Sequence, residues 1–106
     1  MIDSIPLSFK ISGTKIFIPF KAICTVTDKE FSGEIIIEYV PQKKALEYVD
    51  VENVIAELTK QKITAEELTH QVFQQVSESI NPISLRITVD VKHSDAHRPV
   101  QVWLEN

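Results

Sequence analysis

Glycine and cysteine are scarce in this chain of 106 residues: two glycines, Gly13 and Gly33, and one cysteine, Cys24. Two glycines twenty positions apart cannot build the Gly-rich loop of a P-loop or dinucleotide-binding fold, whose backbone amides cradle phosphates. A lone cysteine excludes an intramolecular disulfide and any multi-cysteine zinc site, so the fold rests on its core and the thiol is free. Long apolar runs are missing too. No stretch approaches the roughly 18 uninterrupted apolar residues of a membrane helix. The opening residues carry Asp3 and Pro6 where a signal peptide would want a basic flank and an apolar run, so a cytoplasmic protein is expected. Positive charge is the minority sign: 11 Lys and Arg against 15 Asp and Glu leave a net charge of -4. That balance weighs against broad nucleic-acid binding, which wants a basic face.

What is present is a 43% hydrophobic content, ordinary for a soluble domain, with no linker, repeat or composition shift. Residues 1–106 therefore read as one domain. Ile5 to Ile11 is a short extended run, punctuated by Ser12-Gly13-Thr14. Ile16, Ile18, Phe20, Ala22 and Cys24 then share one strand face by period-two alternation. After the polar turn Thr27-Asp28-Lys29-Glu30, an isoleucine-rich run from Glu34 to Val40 closes at Pro41, and the two runs predict a hairpin. The period then changes. Asp50 reads as an N-cap, followed by Val51, Val54, Ile55 and Leu58 at helical spacing. Thr64-Ala65-Glu66-Glu67 reads as a capping box, with Leu68, Val72, Val76 and Ile80 as the stripe and Asn81-Pro82 as the stop. Leu85, Ile87, Val89 and Val91 alternate with Arg86, Thr88, Asp90 and Lys92, and Val100 to Leu104 repeats the pattern. The order ββααββ predicts an α+β fold, a four-stranded antiparallel sheet with two helices on one face. Its two edge strands have few blunting residues, so a homo-oligomer that covers them is expected.

Several residues offer chemistry, each beside a plainer explanation. A free cysteine at a strand end is commonly a small buried hydrophobe, and a nucleophile only where its thiolate is stabilised. His70, His93 and His97 lack the spacing of a helical metal motif, so no metal is expected. Carboxylates at a helix start favour the dipole, yet only Glu67 is needed for the cap, which leaves Glu66 over. Trp103, opposite in parity to Val102 and Leu104, faces away from the core, where an aromatic packs against a partner subunit.

The element order, together with Cys24, Tyr39-Val40-Pro41, Glu47, Glu66 and Asn81-Pro82, resembles the tunnelling fold, in its branch of 7-cyano-7-deazaguanine nitrile reductases and related amidinotransferases. The resemblance runs from Cys24 to Glu105. It implies an oligomeric barrel with sites between subunits, and a small-molecule partner of purine type in 7-deazaguanine tRNA-nucleoside biosynthesis. It implies Cys24 as the nucleophile that forms a thioimide with the nitrile, and Glu66 and Glu47 as substrate-binding residues. A carboxylate that accepts both N–H and NH2 of a guanine-like edge makes a bidentate, charge-assisted contact. The proton donor of the family stands seven residues after the cysteine, which here is Phe31; a one-residue slip in the hairpin, compensated by Gly33, would bring Glu30 there. Thr25 stands in place of the usual proline, and Ala65 in place of a histidine. For the reductases the resemblance implies NADPH, but the segment with its lysines reads Glu47-Tyr48-Val49-Asp50-Val51-Glu52. For an amidinotransferase acting on tRNA, a basic surface would be wanted, and the chain is acidic.

Dihydroneopterin aldolases, of the same fold, are also similar in pairing a glutamate at the second helix with a lysine at the end of the next strand, as Glu66 and Lys92 would. That implies a pterin-like ligand and no cysteine chemistry. A non-catalytic module that only binds a flat heterocycle is the third expectation.

Overall fold

Alternation and helical spacing settle into the expected layers in the computed structural model, which describes residues 2–106. The chain runs β1 (Ser4–Pro6), β2 (Thr14–Ile23), β3 (Glu30–Val40), β4 (Lys44–Leu46), α1 (Tyr48–Thr59), α2 (Ala65–Ile80), β5 (Ser84–Ser94) and β6 (Val100–Glu105). The main sheet is antiparallel in the order β2-β3-β5-β6. Only Ile5 and Pro6 of the expected run Ile5 to Ile11 lie in a strand: β1 pairs with β4 in a separate two-stranded sheet, an addition to ββααββ. The β1–β4 pair is pinned from beneath, where the Leu46 amide donates to the buried Tyr39 hydroxyl oxygen at 3.1 Å.

Register aligns the sheet into rows. On the helix-covered face, Ile16, Ile37, Ile87 and Leu104 form one row and Ile18, Ile35, Val89 and Val102 the next. Ile35, Ile37, Ile87 and Val89 are fully buried, together with Val51, Leu68 and Val76 of the helices. Each such side chain contributes on the order of 2 kcal/mol. On the helix-free face, Phe17, Ile36, Thr88 and Trp103 make an apolar row, and Lys15, Glu38, Arg86 and Glu105 a charged one.

Both helix starts differ from expectation in detail. The N-cap of α1 is Glu47 and not Asp50: the Glu47 carboxylate accepts from the Val49 and Asp50 amides, while Asp50, one turn in, accepts from the Asp3 amide. The longer side chain reaches the orphan amides from an extended backbone, and Asp50 is left for the N-terminal segment. At α2 only half of the capping box forms. Thr64 Oγ1 accepts from the Glu67 amide at 3.1 Å, but the Glu67 carboxylate takes Gln71 Nε2 at 2.8 Å. Asn81 ends α2 in the left-handed conformation, φ 43°, before Pro82.

Gly33 is demanded by packing. The β3–β5 register shifts between Ser32 and Gly33, where β5 carries one extra residue, Lys92. A Cβ on Gly33 would stand 1.9 Å from the Asp90 carbonyl oxygen and 2.8 Å from the Lys92 amide nitrogen. Gly33→Ala must push β5 away, and is expected to cost about 2 kcal/mol, lowering Tm by roughly 10 °C in a thermal melt.

Candidate functional site

The site begins with the turn between β2 and β3. The Cys24 amide donates to the Lys29 carbonyl and the Asp28 amide to the Cys24 carbonyl, both at 2.9 Å, closing a four-residue loop. Asp28 takes the left-handed conformation, φ 61°, which a short polar side chain tolerates. The Lys29 amide donates to Thr27 Oγ1 at 3.2 Å, and the Asp28 carboxylate ion-pairs with Lys62 from the α1–α2 loop. Cys24 keeps the parity of Ala22 and packs against the core while staying partly exposed.

That loop aims donors at the sulfur. The Thr27 amide first, then the Thr27 hydroxyl and the Val26 amide, favour the Cys24 thiolate and hold its pKa below the ordinary thiol range. Burial and the negative charge of Glu66 push the other way without prevailing. The thiolate character comes chiefly from the turn's own donors, and a thiolate is a better nucleophile than a thiol. Thr27 was missed because its role needs the loop closed; the polar tetrad after Cys24 was its only trace.

Glu66 arrives by a different route. The Ile63 amide donates to the Ile23 carbonyl at 2.9 Å, tying the start of α2 to the end of β2, next to Cys24. Thr64 caps the helix, so Glu66 sits in its first turn, exposed. The structure thus brings together Cys24 and Glu66, whose charge the thiol feels.

The other expected site residues lie elsewhere within the chain. Glu30 opens β3 opposite Ile23, on the helix-free face, with Lys21 Nζ 3.9 Å from its carboxylate. The β2–β3 ladder runs without a slip, and the irregularity at Gly33 belongs to β3 and β5; Phe31, not Glu30, takes the core side, edge-on to Phe20 at 5.7 Å. Glu47 caps α1 beside Leu46, near the far end of β3 from Cys24, roughly 25 Å away at the rise of a strand. Lys92 occupies the bulge, its ammonium 3.5 Å from Glu34 on the helix-free face, and the sheet separates it from Glu66. Among the described residues no three His, Cys, Asp or Glu side chains gather closely enough to share a metal ion. Nor is any described helix long and apolar enough to cross a membrane.

The segment to which the resemblance assigns the NADPH-binding lysines holds no cation. Where its cations would stand, Glu47 to Glu52 form the cap and first turn of α1 with Glu47, Asp50 and Glu52 and no Lys or Arg. Carboxylates repel a phosphate there.

No protein-family model and no curated protein matches the chain. Among solved structures it is similar to the archaeosine synthase QueF-Like in its apo form, with a TM-score of 0.82 and 21% identity over 92% of this chain and 95% of that one. The chain therefore has the fold of that protein, the tunnelling fold expected above.

The opposed influences on Cys24 give two signs to test. The pH profile of Cys24 alkylation should move to higher pH in Thr27→Val, which loses a donor to the thiolate, and to lower pH in Glu66→Gln, which loses an opposing charge. Profiles that coincide with the wild type would dispose of this account.

Proposed function

We propose that the chain is a nitrile-addition enzyme of the 7-deazaguanine branch, in which Cys24 attacks the cyano carbon of a 7-cyano-7-deazaguanine base and the product is an amidine. One observation carries the reading: a sulfur held toward thiolate by its own turn, beside a spare carboxylate at a helix start. The fold likeness to an archaeosine synthase supports it.

The chemistry balances without a reductant. The Cys24 thiolate adds to the nitrile carbon, a C–S bond forms, one C–N π bond breaks, and the nitrogen takes a proton from water, giving a thioimide. Ammonia then adds to the same carbon and gives up a proton to the hydroxide that the first step left. The C–S bond breaks, the sulfur returns to the Thr27 and Val26 donors as thiolate, and nitrile plus ammonia have become an amidine with no net oxidation. Amidine formation is favoured over reduction because the acidic cap of α1 does not suit NADPH, and no hydride step is derived. Glu66 accepts the adjacent N–H and NH2 of the guanine-like edge, a contact that a carboxylate makes bidentate. A net charge of -4 favours a small base as ligand over a nucleic-acid backbone. The enzyme would act in the cytoplasm. The aldolase alternative finds no support within one chain, where Lys92 lies by Glu34 on the opposite face of the sheet from Glu66.

Intact-mass measurement after incubation with 7-cyano-7-deazaguanine, without ammonia, tests the reading. The wild type should gain the mass of the base and Cys24→Ser should not. Glu66→Gln should raise the concentration for half-labelling about tenfold, the worth of a charge-assisted contact. Saturable binding with no adduct would leave a binding module and end the nucleophile reading.

A further inference from the structure

The run from Leu7 to Ser12 has the pattern of a strand and no strand to pair with. Leu7, Phe9 and Ile11 alternate with Ser8, Lys10 and Ser12, the period of a strand with one apolar face. Yet β1 ends at Pro6 and β2 begins at Thr14. The Leu7 amide donates to the Lys43 carbonyl at 2.9 Å, and from Ser8 to Gly13 no backbone amide or carbonyl is hydrogen-bonded to another backbone group among the described residues. Each of those residues is exposed, Phe9 at 68%. Leu7, Phe9, Ile11, Val40, Pro41 and Ile83 line a groove of about 600 Å³ there. Pro6 pairs with Lys44, and the Ile83 amide donates to the Val40 carbonyl at 2.9 Å, which brings three segments of the chain to this end. Their charge is of one sign. Residues 4–14, 41–46 and 81–84 carry Lys10, Lys43 and Lys44 and no Asp or Glu, in a chain whose net charge is -4. None of these lysines is in an ion pair among the described residues.

We infer that Leu7 to Ser12 is a docking strand for an extended segment of a partner protein in which apolar residues alternate with Asp or Glu. An extended backbone with free amides and carbonyls is matched by another main chain, which presents donors and acceptors at the same spacing. A nucleic-acid phosphate presents acceptors alone, and an apolar row of Phe and Ile gives it nothing to hold. The partner's apolar side chains enter the groove beside Phe9 and Ile11, and its carboxylates meet Lys10, with Lys43 and Lys44 flanking. A second copy of this chain fits poorly, because its own Leu7–Ser12 run supplies a lysine and no carboxylate, which sets like charges together. The run lies at the end of the β2–β3 hairpin away from Cys24, since Thr14 pairs with Tyr39 there and Ile23 with Glu30 at the other end. The contact therefore stands apart from the chemistry of the thiol.

A capped synthetic peptide of about nine residues that alternates valine with glutamate tests it on the full chain, with a valine–lysine peptide as control. Fluorescence anisotropy of the labelled peptides should show saturable binding of the acidic one, at least about tenfold tighter than of the basic one and weakened by salt. Lys10→Glu and Phe9→Ser should each weaken it at least about fivefold, and neither should lower Tm, because both side chains are exposed. Amide exchange followed by NMR should slow within Ser8 to Ser12 when the acidic peptide saturates the chain. An acidic peptide that does not bind, a basic one that binds as well, or binding that leaves those amides unprotected would each overturn the proposal. So would protection of the same amides in the free chain that is lost on dilution, which would give the strand to a second copy.

Discussion

The unbroken register between β2 and β3 is the constraint on which the molecule depends. Because Thr14 pairs with Tyr39 and every pair down to Ile23 and Glu30 follows without a slip, side-chain parity is transmitted along the whole hairpin. That parity sends Ile18, Phe20 and Ala22 into the core and leaves Cys24 at the end of the same face. It also sends Phe17 and Lys15 to the other face. The irregularity that the chain does tolerate is displaced to the β3–β5 junction, where Gly33 has no side chain to obstruct the bulge at Lys92. A bulge in the hairpin itself would have exchanged the faces of everything beyond it.

The candidate site is a balance of opposing electrostatic influences on one sulfur. Turn amides and a hydroxyl favour the thiolate, while burial and Glu66 oppose it, and the donors prevail because they are local and oriented. Such a balance suits a nucleophile that must also leave: a thiolate stabilised by fixed dipoles attacks and is then expelled without a separate acid. The coupling of the two halves of the site runs through a single backbone hydrogen bond, from Ile63 to Ile23, reinforced by the ion pair of Lys62 with Asp28. Helix layer and sheet are thereby joined next to Cys24, at the end from which Glu66 exerts its charge on the thiol.

Carboxylates and cations away from that point have structural work. Glu47 completes the start of α1, Glu30 lies by Lys21, and Lys92 leans on Glu34. Each was a reasonable chemical candidate by type and order in the chain. Within one chain, the sheet or the length of β3 holds each of them away from the sulfur.

Period and punctuation alone determined the four long strands, both helices, the stop at Asn81-Pro82 and the face on which Trp103 stands, since these follow from local alternation, capping and turn chemistry. Cys24 and Glu66 could be singled out from residue type and order, and the Thr64 cap was legible to the residue. Only the tertiary structure decided that Glu47 rather than Asp50 caps α1, that the bulge belongs to β5, and that Thr27 and Val26 attend the sulfur. Those outcomes depend on competition among groups distant in sequence: the Asp3 amide claims Asp50 across 47 positions, and Gly33 meets the backbone of Asp90 and Lys92. Local pattern carries no information about which of two capable partners arrives first in space.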